Sequence, residues 1–198
     1  QRLSARDLLA FTRQVLPERF GPGRRVLEPG CGTGLYTRLL LDAFPGAAVV
    51  GVDISEAMVR VARGRIADPR ACLTVGDAEE IVSGAYDLVT SNAAFQWFLY
   101  FPRTVARMAS RLGRDGVLSF SFCGPGTYAE LDEALRAAAG ERGEPSRARV
   151  AAAGFVGRDG IAAVLASVFR RWDVVERRYH QEFPTLADLL RSIRYTGT

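Results

Sequence analysis

The sequence has no lysine: all 26 residues of its basic count are arginine, beside a single histidine, His180. Cysteine is almost as sparse, at Cys31, Cys72 and Cys123. Three thiols at wide spacing, without a CxxC pair and with one histidine to share, exclude a disulfide framework and a zinc site, so no metal is expected. Long apolar runs are missing too. Nothing approaches the ~18 residues that cross a bilayer, and the amino end carries Arg2, Arg6, Asp7 and Arg13 where a signal peptide has its apolar core. The expectation is a cytoplasmic protein with no membrane partner. Lysine-rich tracts, aromatic-basic interleaving and an Asn-Pro-Pro-Tyr-like stretch are also absent, which argues against a nucleic-acid partner.

What is present is the composition of an ordinary folded domain: 198 residues, 48% hydrophobic and 24% charged, enough to bury a core. Against 22 acidic residues the arginines leave a net charge of +4. Two readings of that surplus stay open: a solvated surface shaped by codon usage, or an arginine-rich face that receives an acidic partner. The chain opens in mid-pattern at Gln1 and stops at Thr198 just after helix-like residues, as a piece truncated from a longer protein would.

Short β-branched runs alternate with amphipathic stretches, the alternation of an α/β domain with a doubly wound, mainly parallel sheet. An opening helix is expected over residues 3–16, and strands at 25–28, 48–53, 72–75, 86–90 and 116–122. Helices between them run through Leu41, over 55–66 with Ser55 as N-cap, and over 102–112. Past Gly124-Pro125-Gly126 the pattern changes. It predicts a helix over 128–139, a charged break over 140–149 with a mobile loop at 141–147, a helix over 161–169, one strand near 172–179 and a last helix from Leu186. One domain over 1–198 is expected, with its core at 24–123 and acceptor or lid elements at 124–198.

The strongest signal is Glu28-Pro29-Gly30-Cys31-Gly32-Thr33-Gly34, an acidic strand end followed by alternating glycines, between a strand and a helix. A dinucleotide loop, GxGxxG, would place its third glycine at Leu35 and offer the helix N-terminus to a pyrophosphate. Here a carboxylate precedes the glycines. It repels a pyrophosphate but attracts an ammonium, while small residues let a ligand approach the backbone, so an amino-acid-bearing nucleoside fits. Asp53 ends the second strand nineteen residues after Gly34, where a carboxylate accepts from both hydroxyls of a ribose, and Ile54 follows at the same edge. After the third strand, Asp77 can accept from an exocyclic adenine amine and the Ala78 N–H can donate to a ring nitrogen; an Asx turn is the plainer alternative at Asp77. Ser91-Asn92 after the fourth strand completes a rim on which four strand ends meet.

Together these motifs resemble the class I S-adenosylmethionine-dependent methyltransferases over about residues 24–123. The resemblance implies a Rossmann-like fold and S-adenosylmethionine as cofactor, with S-adenosylhomocysteine as product and no metal. It implies a site formed by Glu28, Gly30, Cys31, Gly32, Gly34, Asp53, Ile54, Asp77, Ala78, Ser91 and Asn92, in which Glu28 reaches the methionine amine through water or neighbouring backbone. Members of that class finish with a β-hairpin, of which only the strand near 172–179 is recognised. A narrower resemblance lies in Ser91-Asn92-Ala93-Ala94-Phe95-Gln96-Trp97, in Gly124-Pro125-Gly126-Thr127-Tyr128-Ala129-Glu130-Leu131, and in Leu189-Leu190-Arg191-Ser192-Ile193 near the end. These are similar to stretches of the malonyl-acyl-carrier-protein O-methyltransferase family of biotin synthesis, and the similarity covers nearly the whole chain. Tyr195-Thr196-Gly197-Thr198 departs from the Gly-Ala step common there.

The narrower resemblance implies methylation of the free carboxylate of a malonyl thioester, carried by an acidic acyl carrier protein or by coenzyme A. A carboxylate is already nucleophilic at neutral pH, so positioning and desolvation matter more than a general base, and no catalytic residue is singled out. Gln96, Trp97 and Tyr128 stand where an acceptor wall is expected, although an aromatic packed under a loop reads equally well. Two alternatives stay open: a small-molecule carboxyl or hydroxyl O-methyltransferase, and a non-catalytic S-adenosylmethionine-binding regulatory protein.

Overall fold

Buried aliphatic runs make the sheet. Val26 and Leu27 of β1 (Arg25–Pro29), Val49 and Val52 of β2 (Ala48–Asp53), and Leu88 and Val89 of β4 (Tyr86–Asn92) are each at most 2% exposed. Strands apolar on both faces are what a parallel sheet covered by helices requires. With β3 (Ala71–Val75) and β5 (Leu112–Ser121) the order is β3-β2-β1-β4-β5, and every pairing is parallel. The structure, a computed structural model, describes residues 2–17, 20–81, 83–141 and 149–196. The chain divides into two compact units, residues 1–122 and 123–198.

The first unit holds the whole sheet. Its helices are α1 (Arg2–Val15), α2 (Leu35–Ala43), α3 (Glu56–Arg65), the single-turn α4 (Ala78–Ile81) and α5 (Phe101–Ala109). Helical spacing decides which side chains are buried: Phe101, Thr104, Val105 and Met108 form one stripe of α5, and Tyr36, Thr37, Leu40 and Leu41 one stripe of α2. Ser55 caps α3 as expected, its hydroxyl accepting from the Met58 N–H at 3.4 Å. Among the described residues no helix is long and apolar enough to cross a membrane.

The order of strands reverses between β1 and β4, which opens a crevice at the carboxyl ends of the sheet. The doubly wound expectation therefore holds, with corrections at its margins. Strand β5 begins at Leu112, not at 116. Gly113-Arg114-Asp115-Gly116 has the composition of a turn but forms an irregularity inside the strand, with Asp115 at φ 62°, between the pairings Tyr86/Leu112 and Leu88/Val117.

The second unit contains α6 (Ala129–Glu141), α7 (Arg158–Val168) and α8 (Leu186–Thr196), with a 3-10 turn at Ala151–Gly154. Buried Asp132 ties α6 to the start of that turn: it accepts from the Val150 N–H at 3.0 Å and from Arg149 Nε at 3.0 Å, and these two donors hold its carboxyl below the usual carboxylate range. The strand expected near 172–179 is not formed. Trp172, Val175 and Tyr179 are roughly half exposed, and apolar residues fall on both parities, so the segment has no single face to bury. No described strand lies in this unit to take up its backbone hydrogen bonds. The loop expected at 141–147 lies, beyond Glu141, outside the described residues.

Candidate functional site

At the end of β1, Glu28 turns inward and is 1% exposed. Its Oε2 accepts from the Thr37 hydroxyl at 2.6 Å. Burial pushes its pKa up to about 8; Thr37 opposes that shift and the charge of Asp53 adds to it. Thr37 was not anticipated from sequence. The readable signal was a hydroxyl on the apolar stripe of α2, which needs a buried polar partner.

The glycine loop that follows is closed by its own hydrogen bonds. Gly30 and Cys31 N–H both donate to Val52 O, at 2.7 and 3.1 Å, and Gly34 N–H donates to Cys31 O at 3.0 Å. The Gly32 N–H donates to Asp53 Oδ2 at 2.8 Å. These donors are the groups a phosphate cradle would need free. A Cβ on Gly30, whose φ is +70°, would overlap Ala94 Cβ, so glycine lets the turn after β4 close over the loop. Gly34, at φ +79°, would meet Ile66 Cδ1 at 2.7 Å, and its lack of a side chain seats the start of α2 on α3. Around Gly32 the space is open. Cys31 is 4% exposed, and its thiol is pushed up by burial and by the charges of Glu28 and Asp53, which leaves it un-ionised and a poor nucleophile.

Asp53 terminates β2 with both carboxylate oxygens engaged once: Oδ2 by Gly32 and Oδ1 by the Ser55 N–H at 2.9 Å. A carboxylate has about four acceptor sites, so two remain. Ile54 beside it is 76% exposed, an apolar side chain presented at the rim. At the end of β3, Asp77 Oδ1 accepts from the Glu79 N–H at 2.8 Å, which is the Asx turn, and starts α4. Ala78, 5% exposed, is the first residue of that helix.

At the end of β4 the two motif residues hold the framework. Ser91 is fully buried and donates to Pro29 O at 2.7 Å, pinning β4 to the end of β1. Asn92 Oδ1 accepts from Ser121 at 2.9 Å and from Ser4 at 3.1 Å, which brings the first turn of α1 to the rim. Sequence reasoning did not foresee Ser4. Ala93 follows in the left-handed region at φ 53°, and a 3-10 turn at Phe95–Trp97 carries the next candidates. Gln96 is buried and donates Nε2 to Ala93 O at 2.8 Å, while its Oε1 is a buried acceptor with no partner among the described residues. Trp97 is 49% exposed. Tyr128 belongs to the second unit, where its carbonyl accepts from the Asp132 N–H of α6. No group of three His, Cys, Asp or Glu among the described residues could hold a metal ion.

A five-stranded parallel sheet in this order, with an acid and alternating glycines at its switch point, has the Rossmann-like fold of class I methyltransferases. Residues 26–116 match a family model described as a methyltransferase domain. A phosphoethanolamine N-methyltransferase 2 from Haemonchus contortus, solved with S-adenosyl-L-methionine, shares the fold at TM-score 0.62 and 24% identity, over 82% of this chain and 36% of that one. Malonyl-[acyl-carrier protein] O-methyltransferase of Halalkalibacterium halodurans is 31% identical over 203 residues, covering 100% of this chain and 74% of that protein. The chain therefore belongs to the malonyl-[acyl-carrier protein] O-methyltransferase family. The Priestia megaterium member is 43% identical over 107 residues, a match that spans 54% of this chain and 39% of that protein.

Proposed function

We propose that this chain methylates the free carboxylate of a malonyl thioester carried by an acidic acyl carrier protein, with S-adenosylmethionine as methyl donor, in the cytoplasm. The observation that carries the reading is the buried Glu28 at the foot of a glycine loop whose Gly30, Cys31, Gly32 and Gly34 N–H groups are already bonded. Such a loop suits a ligand that brings an ammonium better than one that brings a pyrophosphate.

The residues present fit S-adenosylmethionine. Glu28, whose ionised form an arriving ammonium favours, supplies negative charge for the amine through the loop once the ligand binds. The open space at Gly32 admits the ligand chain, the two remaining acceptor sites of Asp53 match two ribose hydroxyls, and Ile54 offers an apolar face to the base. Asp77 keeps one oxygen beyond its turn for an exocyclic amine beside Ala78. Ser91 and Asn92 hold the rim in place, and Gln96, with its unpartnered oxygen, and Trp97 form the acceptor side.

When bound, S-adenosylmethionine supplies a sulfonium methyl, which the malonyl carboxylate takes as a methyl ester. The protein's task is then to align and desolvate two charged reactants, and a nucleophile that is ionised at neutral pH needs no general base. A site with a protonated Cys31 is consistent with that chemistry.

The test is transfer of a labelled methyl to malonyl-acyl carrier protein, with malonyl-coenzyme A, malonate and the uncharged carrier in parallel. Base-labile label on the malonyl carrier alone is expected. Label on malonate or coenzyme A in preference, or none on any acceptor from a preparation that binds S-adenosylmethionine, overturns the acceptor assignment.

A further inference from the structure

Four arginines converge on one depression of the first unit. Arg2 and Arg6 of α1, Arg38 of α2 and Arg65 at the end of α3 line it, with Leu35 and Leu39 between them. No acidic side chain lines it, and among the described residues none of the four is ion-paired. Two of them bond main-chain carbonyls: Arg38 Nη2 donates to Arg65 O at 2.9 Å and Arg65 Nη1 to Thr33 O at 3.5 Å. A carbonyl orients a guanidinium without cancelling its charge. Other arginines of the same unit take carboxylates, Arg24 with Asp87 and Arg70 with Asp68. The four exposed cations thus repel one another, opposed only at Arg38 by the charge of Asp68, which is itself paired with Arg70, an arrangement that an incoming anionic surface relieves.

The depression adjoins the rim. Thr33 and Gly34, which belong to the glycine loop, are part of its wall. The Ser4–Asn92 hydrogen bond, in turn, fixes the part of α1 bearing Arg2 and Arg6 at the end of β4. A partner seated here presents its cargo to the crevice. Guanidinium forks pair bidentately with carboxylates, and a compact cluster with leucines between its charges suits a helix of Asp, Glu and apolar residues. A nucleic-acid backbone asks instead for a continuous basic track.

We infer that this arginine depression is the docking surface for the acidic carrier protein that bears the acyl acceptor. The inference rests on the acceptor reading above, and adds to it where the partner sits. Docking of this kind is steered by charge, so it weakens as salt screens the pair.

The experiment measures binding of malonyl-acyl carrier protein by fluorescence anisotropy, in the full-length protein and in an Arg6→Glu/Arg38→Glu variant. Arg103→Glu, at an exposed position of α5, is the control for a charge change elsewhere. The double variant is expected to bind the carrier roughly tenfold or more weakly at low salt, and the wild-type protein to lose a similar factor at ~0.5 M salt. Methylation of a malonyl thioester of a small neutral thiol, and S-adenosylmethionine affinity, are expected to stay within about twofold, which separates docking from folding and chemistry. Carrier affinity unchanged in the double variant, or lost equally in Arg103→Glu, overturns the inference. So does duplex DNA that displaces the carrier from the same arginines at equal concentration. A wild-type protein that binds the carrier through these arginines yet forms no ester sustains the docking surface and overturns the acceptor reading instead.

Discussion

The two sides of the crevice are built from different chemistry. On the β1–β2–β3 side the strand ends present carboxyl groups, Glu28, Asp53 and Asp77, of which Glu28 is buried where its ionisation is opposed. On the β4–β5–α1 side they present hydroxyls and an amide, Ser4, Thr12, Ser91, Ser119, Ser121 and Asn92, and these bond to one another or to backbone. A carboxyl kept in a dry site costs stability that a cationic ligand returns; a closed set of neutral hydrogen bonds costs little and asks for no ligand. The first side therefore carries the groups we propose for binding, and the second holds the rim in register.

Removing a carboxylate from the binding side is expected to have the largest effect. Asp53→Ala deletes the acceptor of the Gly32 and Ser55 N–H groups and both proposed ribose contacts. With hydrogen bonds to a charged group worth about 1.5–3 kcal/mol each, S-adenosylmethionine affinity is expected to fall roughly 100-fold or more in a calorimetric titration. An affinity within a few fold of wild type removes Asp53 from the ligand side.

Glu28→Gln comes next, and acts on pH dependence. In the folded protein the Glu28 pKa stands at about 8 against 4.5 for the ordinary group. Below the ordinary value the carboxyl is protonated in both folded and unfolded chains, so that part of the stability is fully present. It is lost as the pH rises through the folded value, because the unfolded chain ionises freely and the buried group does not. The variant is expected to flatten this decline while keeping a Thr37 hydrogen bond. Binding of an ammonium ligand favours the ionised form, so wild-type affinity is expected to climb between about pH 6 and pH 8 with proton release. In the variant the climb disappears, leaving affinity at pH 8 roughly tenfold lower. A wild-type profile as flat as the variant's would show that Glu28 does not face the amine.

The placement of the carboxyl groups was legible in the sequence because they are local: Glu28 and the glycines are contiguous, and Asp53 is the next strand's last residue. Strand ends in a doubly wound sheet meet at one edge, so naming the strands places the carboxylates. The holding side was not legible, since its bonds join residues far apart, Thr12 to Ser119 and Ser4 to Asn92, and no period announces them. Ser91 and Asn92 were read as ligand groups, yet each has a hydrogen bond to the framework. The same limit explains the segment near 172–179: β-branched and aromatic residues suggest a strand, but a strand exists only where a partner backbone stands beside it.

Breaking the holding side is expected to cost stability and spare the ligand. Thr12→Val keeps the shape of a fully buried residue but removes its hydrogen bonds to Ser119, at 2.6 Å, and to Leu8 O, at 2.7 Å. The stranded Ser119 hydroxyl puts the loss at about 1–3 kcal/mol, read from denaturant unfolding. S-adenosylmethionine affinity is expected to change by less than about twofold.

Ser4→Ala is the smallest and the sharpest of these changes. Asn92 Oδ1 keeps its bond to Ser121 when Ser4 is removed, and the Ser4 site is only partly buried, so water can replace the lost hydroxyl. The expected cost is about 0.5–1 kcal/mol, seen as faster amide exchange in the first turn of α1. If affinity for S-adenosylmethionine fell roughly tenfold in that variant, the start of α1 would belong to the ligand side as well. The boundary between the two sides would then run through α1, between Ser4 at the rim and Thr12 against β5.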